Sequence, residues 1–373
     1  MNLIFTCGGT AGHINPAIAV ANMMKKRYPD CNILFIGASG KMEETLVPKA
    51  GYELKVLPAS GLSRKLNAKG IKQNLYAVKC VLSAVGACKK IYKEFKPDAV
   101  IGTGGYASFP ALYAAQTMGI PTCVHEANAL PGITTKLAAN KADRVLVAFA
   151  ESVQHYKNPE KVEVVGMPIR EEFITTTQEQ AKKELGLEGK TVVVSAFGSL
   201  GAKVMNETMA DMMPLEQQDN FPFHHIHATG KFGKEWMPQR VKDNGVDWEN
   251  CSEIDIREYI YNMPTVMAAA DVIISRSGAS TLNEIGASGT PAIFIPSPNV
   301  TANHQEKNAR VLSDKGGAVL VLESECTPEK MYGEIKALLA DADRRAEMIR
   351  IQKETVPADS CEQICDIIEE LVR

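Results

Sequence analysis

Short apolar runs alternate with longer amphipathic stretches along the first half of the chain. Each apolar run has the length of a strand: Leu3–Cys7, Ile33–Gly37, Ala99–Gly102, Thr122–His125 and Arg144–Ala148. Helix-like stretches separate these runs, and they include Ile14–Arg27, Ile71–Phe95 and Phe109–Met118. An alternation of this kind predicts a parallel β-sheet wrapped by α-helices.

The same alternation starts again in the second half of the chain. The further strand-like runs are Thr191–Ala196, Phe223–Ala228, Asp271–Ser275, Ala292–Pro296 and Ala318–Leu322. The fold class is therefore expected to be α/β, with two doubly wound units in series. The boundary is expected at Gly166-Met167-Pro168, because these residues follow the strand-like Val162–Val165 and precede the polar stretch Glu171–Leu187.

The expected domains are residues 1–165 and 166–354. Beyond residue 340 the chain becomes charged and helical over Asp341–Lys353, and Cys361–Arg373 has the pattern of a last amphipathic helix. This final segment, about 355–373, can pack on the first domain or on the second, and the sequence does not decide between them.

Each predicted unit opens with a strand that is followed by a glycine-rich turn. These turns are residues 8–13 in the first half and residues 198–202 in the second half. In open α/β sheets, ligands bind beyond the carboxyl ends of the strands. Two such units facing each other are expected to form one cleft that both turns line.

Composition narrows the class of protein. A chain of 373 residues, 45% of them hydrophobic, can bury a core in each of two domains. Its net charge of −3 argues against a nucleic-acid partner, because such binding needs many cations on one surface.

The nine cysteines form no C-x-x-C pair, so reduced, cytosolic thiols are expected. No apolar run reaches the roughly 20 residues that span a bilayer, so any work on a membrane is expected to proceed from its surface.

The first glycine-rich turn, residues 8–13, has features of an anion site. Its glycines let backbone N–H groups approach a ligand at the start of a helix, where the dipole favours negative charge. The spacing differs from the G-x-G-x-x-G of dinucleotide sites, and a purely structural turn is the alternative. His13 follows the glycines, where its imidazole can point into the cleft or make a local hydrogen bond.

Two more polar clusters follow strands of the first half. A second glycine loop, Gly102–Tyr106, follows one strand, and His125-Glu126-Ala127-Asn128 ends another. A carboxylate, an imidazole and an amide are thereby expected at the rim of the cleft. The alternative is a satisfied buried histidine with a capping asparagine.

In the second half of the chain, polar residues cluster in three places: two lie at strand ends and one lies within a strand. The segment 276–281 can open a helix N-terminus toward a diphosphate, and Glu284, about one turn later, can accept hydrogen bonds from a ribose. Residues 303–309 offer amides and carboxylates suited to sugar hydroxyls. The run His224-His225-x-His227 lies inside a predicted strand and is expected to lack an acidic partner nearby, so a structural role is favoured over a metal site, and no metal is predicted.

These segments together resemble the MurG glycosyltransferases of peptidoglycan synthesis, and the resemblance covers nearly the whole chain. In order, they read GGTAGH, GTGGY, HEAN, GMPIR, FGSLGA, RSGAST and NHQEKNA. The resemblance implies a GT-B fold, with two Rossmann-like domains facing across a cleft, and an inverting transferase that needs no cofactor and no metal. It implies transfer of N-acetylglucosamine from UDP-N-acetylglucosamine to the 4-hydroxyl of the N-acetylmuramyl group of undecaprenyl-linked lipid I, which gives lipid II.

The resemblance also implies roles for particular residues. The expected donor contacts are Thr10, Ala11, Gly12, Asn128, Arg170, Ser199, Ile260, Ala279, Ser280, Thr281, Leu282, Asn283, Glu284 and Gln305. For Thr10, Ala11 and Gly12, the resemblance implies a place against the donor's diphosphate and sugar or against the acceptor's diphosphate. The expected acceptor diphosphate loops contain Gly9, Gly104, Gly105 and Tyr106. His13 is the predicted catalytic base, and Glu126 is the rival for that role.

The chain departs from the commonest pattern of the family at three positions. Ala11 stands where a glycine is frequent, Phe197 replaces the first glycine of a Gly-Gly-Ser turn, and Leu200 replaces a glutamine. Because Leu200 removes a polar side chain from the diphosphate loop, only Ser199 of that pair is expected to bind the donor.

A polyprenyl-linked acceptor implies binding at a membrane surface, and the expected location is peripheral on the cytoplasmic face of the cell membrane. Residues 66–96 combine lysines with apolar residues, although a core-facing helix explains much of this pattern. The candidates are Lys65, Lys69, Lys72, Lys79, Lys89, Lys90, Leu75, Tyr76, Val78, Val81 and Leu82. Other proteins of cell-wall synthesis are possible partners.

Two alternatives from other classes stay open. One is a UDP-N-acetylglucosamine epimerase of related fold, and the other is a catalytically inactive sugar-nucleotide sensor. A dinucleotide-dependent oxidoreductase is disfavoured because the spacing of the first glycine loop does not fit.

Overall fold

Two parallel sheets, each covered by helices, account for the chain, as the sequence predicts. The structure is a computed structural model and describes residues 1–58, 68–105, 107–300 and 303–373. The chain divides into two compact units: unit 1 is Met1–Arg170 together with Pro357–Arg373, and unit 2 is Glu171–Val356.

Unit 1 contains a seven-stranded sheet in the order β3-β2-β1-β4-β5-β6-β7, with every neighbouring pair parallel. The strands are β1 (Asn2–Thr6), β2 (Asn32–Ala38), β3 (Glu53–Leu57), β4 (Ala99–Gly102), β5 (Thr122–Glu126), β6 (Arg144–Val147) and β7 (Val162–Val164). The first helices are α1 (Ala11–Arg27), α2 (Glu43–Lys49), α3 (Ala68–Phe95), α4 (Ser108–Thr117) and α5 (Ile133–Ala139).

The core of unit 1 has one layer on each face of this sheet. On one face, Phe5 and Phe35 stack with ring centroids 5.5 Å apart and pack with side chains of α1 and α2. On the other face, Tyr92 of α3 and Leu112 of α4 are buried against the sheet. Because both faces are covered, the central strands are apolar along their whole length rather than alternating.

Unit 2 repeats the design with a six-stranded parallel sheet in the order β10-β9-β8-β11-β12-β13. The strands are β8 (Val192–Ala196), β9 (His224–Ala228), β10 (Ile254–Arg257), β11 (Val272–Ser275), β12 (Ala292–Phe294) and β13 (Val319–Leu320). The helices are α6 (Glu172–Thr175), α7 (Gln178–Leu185), α8 (Lys203–Gln218), α9 (Trp236–Asp243), α10 (Met263–Ala269), α11 (Ala279–Ser288), α12 (His304–Ser313), α13 (Pro328–Ala340) and α14 (Ala342–Thr355).

The last helix, α15 (Ser360–Val372), packs in unit 1. Its buried Ile364 and Ile368 join the core layer that contains α1. Arg27, near the end of α1, forms ion pairs with Asp366 at 2.5 Å and with Glu369 at 2.9 Å. An apolar stripe flanked by ion pairs therefore fixes α15 on the first unit.

The strand order reverses direction at β1 in unit 1 and at β8 in unit 2. At such a switch point the loops after the two neighbouring strands diverge and leave a crevice at the carboxyl edge of the sheet. In unit 1 these are the loops after β1 and β4, and in unit 2 they are the loops after β8 and β11. All four loops contain glycine-rich or small-residue motifs that the sequence singles out.

Candidate functional site

The two glycine loops of unit 1 pack directly against each other at its switch point. Gly105 has φ +84°, and a Cβ there would lie 2.2 Å from the carbonyl oxygen of Gly8. A Cβ on Gly8 would lie 2.6 Å from the Cβ of Ala107. Only glycine fits this backbone approach, so the two loops form one surface. Tyr106, predicted in the same loop, lies outside the described residues.

His13 lies in the first turn of α1 and contacts the loop after β4. Its Nδ1 donates to the carbonyl oxygen of Thr103 at 3.1 Å, and the Thr103 hydroxyl donates to the carbonyl oxygen of His13 at 2.6 Å. A Cβ on Gly104 would lie 2.7 Å from this Nδ1, so the glycine makes room for the ring. Since Nδ1 carries the proton in this arrangement, the neutral ring has its lone pair on Nε2.

Glu126 is buried at the end of β5 and accepts three hydrogen bonds. Its Oε1 accepts from the backbone N–H and the side-chain amide of Asn128, at 3.0 and 2.9 Å. Its Oε2 accepts from the backbone N–H of Gly132 at 3.0 Å. The carboxylate therefore orders the loop 126–132 and fixes the orientation of the half-buried Asn128.

His125, one residue earlier, connects this loop to the segment that ends in Arg170. Its Nε2 donates to the carbonyl oxygen of Gly166 at 2.8 Å. The imidazole is fully buried, and this burial lowers the pKa of His125 below its ordinary 6.5, partly offset by the bond to Gly166 and by Glu126. The half-buried Arg170 follows at the end of this segment.

Acid is expected to destabilise unit 1 through His125. Because its pKa is lowered on folding, the unfolded chain binds a proton below about pH 6.5 that the folded chain does not bind. The stabilisation is present above the unfolded pKa and is lost as the pH falls through it. The urea midpoint of wild type should therefore drop more between about pH 7.5 and pH 5.5 than that of His125→Gln, which cannot titrate. Equal drops in both proteins would contradict this assignment.

In unit 2, the loop after β8 pairs with the segment after β9. Lys231 N–H donates to Ser199 O at 3.1 Å, and Phe232 N–H donates to Leu200 O at 3.0 Å. Gly201 has φ +77°, and a Cβ there would lie 2.1 Å from the carbonyl oxygen of Thr229. The loop is thereby fixed from one side, while the side chains of Ser199 and Leu200 are exposed.

The loop after β11 leads into the N-terminus of α11. The first intrahelical bond runs from Leu282 N–H to Gly278 O at 2.9 Å, so the N–H groups of residues 279–281 precede it and point out of the helix end. The side chains of Leu282 and Asn283 are buried, whereas those of Ser280, Thr281 and Glu284 are half-buried. Of the predicted donor contacts in this stretch, Leu282 and Asn283 therefore face the interior.

Gln305 joins the loops after β11 and β12. Its Oε1 accepts from Ser297 N–H at 2.8 Å, and its carbonyl oxygen accepts from the Ser277 hydroxyl at 2.8 Å. The amide nitrogen Nε2 is thus the donor that remains on the side chain. The Ile260 side chain is buried, so that residue can present only backbone groups.

A cavity of about 550 Å³ lies within unit 2 beside these loops. Arg276 stands next to it, pairing with Glu323 and donating to the carbonyl oxygens of Ile295 and Pro296. The lining residues are Val204, Pro296, Pro298, Asn303, Glu306, Leu322, Glu323 and Ser324. The carboxyl ends of β12 and β13 therefore have a ligand-sized space in front of them.

The histidine run in β9 belongs to a buried hydrogen-bond network. His225 Nδ1 lies 2.8 Å from Glu216 Oε1, and its Nε2 lies 2.7 Å from the Ser195 hydroxyl, which also lies 2.7 Å from His227 Nδ1. The expectation that no acidic partner is near was wrong, because α8 brings Glu216 to the strand. Burial lowers the pKa of His227 well below its ordinary value. The contacts support the predicted structural role of this run.

One residue of the site that sequence reasoning missed is Glu43, the first residue of α2. Its side chain is completely buried, and its Oε1 accepts from Gly9 N–H at 3.0 Å and from Ala38 N–H at 3.2 Å. The only signal in the sequence is Gly37, where a Cβ would lie 2.9 Å from Glu43 Cγ. Such a signal can be interpreted only once the fold is known.

Family models and relatives match the chain over nearly its full length. Residues 3–147 match the glycosyltransferase family 28 N-terminal domain, and residues 191–364 match the glycosyltransferase family 28 C-terminal domain. A relative from Acetivibrio thermocellus is 40% identical, with 100% of this chain and 99% of that protein covered. One from Thermoanaerobacter sp. is 41% identical, with 100% of both covered. Both are named UDP-N-acetylglucosamine--N-acetylmuramyl-(pentapeptide) pyrophosphoryl-undecaprenol N-acetylglucosamine transferase.

Solved structures also resemble this chain over nearly its full length. The crystal structure of MurG from Acinetobacter baumannii is 25% identical with a TM-score of 0.74, and 99% of each chain is covered. A UDP-GlcNAc 2-epimerase from Neisseria meningitidis bound to UDP-GlcNAc has a TM-score of 0.67 at 13% identity, covering 99% of this chain and 100% of that chain. At that identity, the likeness to the epimerase extends to the fold alone.

Proposed function

This chain belongs to the MurG family within glycosyltransferase family 28, and on that premise we propose that it makes the second membrane-linked precursor of peptidoglycan. It transfers N-acetylglucosamine from UDP-N-acetylglucosamine to the N-acetylmuramyl-(pentapeptide) of pyrophosphoryl-undecaprenol, which is lipid I. The observation that carries this function is the 40% identity, over the whole length, to a protein that is named for the reaction.

We propose that the two halves divide the substrates between them. Residues 1–165, with the final helix of about 355–373, take the acceptor and the membrane surface, and residues 166–354 take the donor nucleotide. The glycine surface at the switch point of unit 1 is evidence that the acceptor diphosphate binds there. The outward N–H groups at the start of α11 support a donor diphosphate on unit 2.

The donor is proposed to bind along the carboxyl edge of the unit 2 sheet. Ser199 and the α11 N-terminus would bind the diphosphate, Glu284 the ribose hydroxyls, and the backbone of Ile260 the uracil. Gln305 would donate from Nε2 to a sugar hydroxyl, because its Oε1 already accepts from Ser297. Leu282 and Asn283 would contribute backbone and packing rather than side-chain contacts, because both side chains are buried.

The acceptor diphosphate is proposed to lie on the paired glycine loops of unit 1. Thr10 precedes α1, and Ala11 and Gly12 begin it; the dipole of this helix favours a negative charge at this end. Gly104 and Gly105 come from the second loop, which packs on the first through Gly8. Tyr106 remains a sequence prediction for the same surface.

His13 is proposed as the catalytic base. Its Nε2 would accept the proton of the acceptor 4-hydroxyl while that oxygen forms the new bond to the anomeric carbon of N-acetylglucosamine, with inversion. The bond from this carbon to UDP breaks, and the electron pair leaves on the UDP phosphate. Arg170, the backbone near Ser199 and the start of α11 would stabilise the departing charge.

Glu126 is proposed to position Asn128 rather than to take the proton. Among the described residues, the three hydrogen bonds that its carboxylate accepts all come from donors of its own loop, and the carboxylate is buried beneath that loop. A base must reach the proton that it removes, which a half-buried imidazole at the loop surface does more readily. Asn128, held in this way, would contact the donor sugar.

The function is tested by mixing the protein with radiolabelled UDP-N-acetylglucosamine and a soluble lipid I analogue in EDTA. We expect label in the lipid product. If no label moves, even with Mg²⁺ restored, while the donor still binds, the transferase assignment is wrong. Epimer formed from the donor alone would then favour the epimerase alternative, and binding without any product would favour a sensor.

The surface that we propose to contact the cytoplasmic face of the membrane also lies on unit 1. Leu75, Val78 and Leu82 of α3 are 68%, 52% and 69% exposed, and the exposed Lys72 and Lys79 lie beside them. Lys65 and the side chains of Lys69 and Tyr76 lie outside the described residues. Across the described helices, none has the length and apolar character needed to cross a bilayer.

Reversing Lys72 and Lys79 to glutamate is expected to weaken binding to vesicles that contain anionic lipid by at least about tenfold, since each lysine near such a surface contributes about 1 kcal/mol. Vesicle sedimentation measures the effect. The control reverses Lys183 and Lys315, which are exposed on unit 2. Equal binding by the two double variants would count against this surface.

A further inference from the structure

We propose that Glu43 is a positioning residue that sets the conformation of the glycine loop 8–13 and thereby its affinity for the acceptor diphosphate. The inference rests on the proposed function, because it concerns the loop to which that function assigns the acceptor. Glu43 is 34 residues from Gly9 along the chain, and it comes from a different helix than the one the loop begins.

One carboxylate oxygen of Glu43 fixes two loops at once. Oε1 accepts from Gly9 N–H at 3.0 Å, in the loop after β1, and from Ala38 N–H at 3.2 Å, at the end of β2. The side chain is 0% exposed, so no water can replace these bonds without a change in structure. Losing them would leave the buried N–H of Ala38 and the part-buried N–H of Gly9 without an acceptor, which is costly.

The surroundings hold the carboxylate in a single place. A Cβ on Gly37 would lie 2.9 Å from Glu43 Cγ, and a Cβ on Gly8 would lie 3.3 Å from Oε1. Gly9 itself has φ +90°, a conformation that other residues rarely adopt. The Gly9 N–H is therefore directed to Glu43, and an anion on this loop is left to the amides that follow Gly9.

The length of the Glu43 side chain and its acceptor oxygen, rather than its charge, hold this loop in its conformation. A negative charge beneath a diphosphate site repels the ligand, so Coulomb attraction gives no reason to place a carboxylate there. Oε2 has no hydrogen-bond partner among the described residues, so the second oxygen contributes no further bond to the loop. A side chain of equal length with one acceptor oxygen can do the same work.

Two substitutions separate reach from charge. Glu43→Gln keeps the length and the acceptor oxygen but removes the charge, whereas Glu43→Asp keeps the charge but is one methylene too short to serve both amides. For Glu43→Asp, we expect KM for the soluble lipid I analogue to rise about tenfold, with KM for UDP-N-acetylglucosamine within about twofold of wild type. For Glu43→Gln, both values should stay within about threefold of wild type.

Glu44 supplies the matched control. It is exposed, lies next along the helix, and accepts from Gly40 N–H at 2.9 Å. Both Glu44→Asp and Glu44→Gln should leave the two KM values unchanged. The proposal is overturned if Glu43→Asp leaves the acceptor KM unchanged, if it raises both KM values equally, or if Glu43→Gln is as impaired as Glu43→Asp.

A second measurement does not depend on activity. Hydrogen exchange of the Gly9 amide can be followed by NMR, and we expect this amide to be protected in wild type and in Glu43→Gln. Rapid exchange of the Gly9 amide in folded wild type overturns the proposal. This outcome can be read even if Glu43→Asp fails to fold. If wild type transfers no label, the proposed function fails, and Gly9 exchange still reports on Glu43 separately.

Discussion

Replacing His13 by asparagine is expected to lower kcat by roughly 10²- to 10⁴-fold, the range that a general base contributes. Asparagine can still donate to the carbonyl oxygen of Thr103, as His13 Nδ1 does at 3.1 Å, but it has no atom in place of Nε2. The loss therefore tests the base rather than the packing of the loop. Steady-state transfer to the soluble lipid I analogue measures it, and donor binding should stay within about twofold of wild type.

Glu126→Gln is the comparison for this result. Its carboxylate accepts three hydrogen bonds from its own loop, so the amide should cost about tenfold or less in kcat/KM through poorer orientation of Asn128. If the His13 variant turns over nearly normally while Glu126→Gln is inactive, the two roles are reversed.

Gly105→Ala is expected to lower the free energy of unfolding by roughly 2–4 kcal/mol, the combined cost of a left-handed backbone and of an overpacked contact. Its φ is +84°, and the new Cβ would lie 2.2 Å from the carbonyl oxygen of Gly8. To relieve the clash, the two glycine loops must move apart, so acceptor KM should rise as well. Urea unfolding and steady-state kinetics measure the two effects.

Gly86→Ala provides the matched control for this change. Gly86 lies inside α3, and a Cβ there would meet nothing within 4 Å. Alanine at this position should be neutral or should stabilise the protein by up to about 1 kcal/mol, because glycine is a poor helix former. Equal stability of the Gly105 and Gly86 variants would mean that the loop tolerates the methyl group, contrary to the geometry described.

The sequence predicts the central strands well and misses two at the edges. The apolar runs correspond to strands such as β1 and β8, which are buried on both faces. β3 and β10 were not predicted. Both are edge strands, and they carry charged residues such as Lys55 and Arg257, as edges exposed to water commonly do. Their polar pattern therefore resembles a loop.

For the candidate site, too, some features can be predicted from the sequence and others cannot. Glycine loops and polar residues at strand ends can be found in the sequence because parallel strands bring their carboxyl ends to one edge. Glu43 and Glu216 cannot be found in this way, because each reaches its partners only through the packing of a helix on the sheet. For both residues, the relevant distance is spatial and no local pattern encodes it.

The return of α15 to unit 1 has a consequence for how the protein is made on the ribosome. Unit 2 is continuous from Glu171 to Val356, whereas unit 1 needs residues from both sides of it. During synthesis, the second unit is complete before the helix that covers α1 has been translated. The apolar stripe of α1 that α15 buries therefore stays uncovered until the chain beyond Val356 has been synthesised.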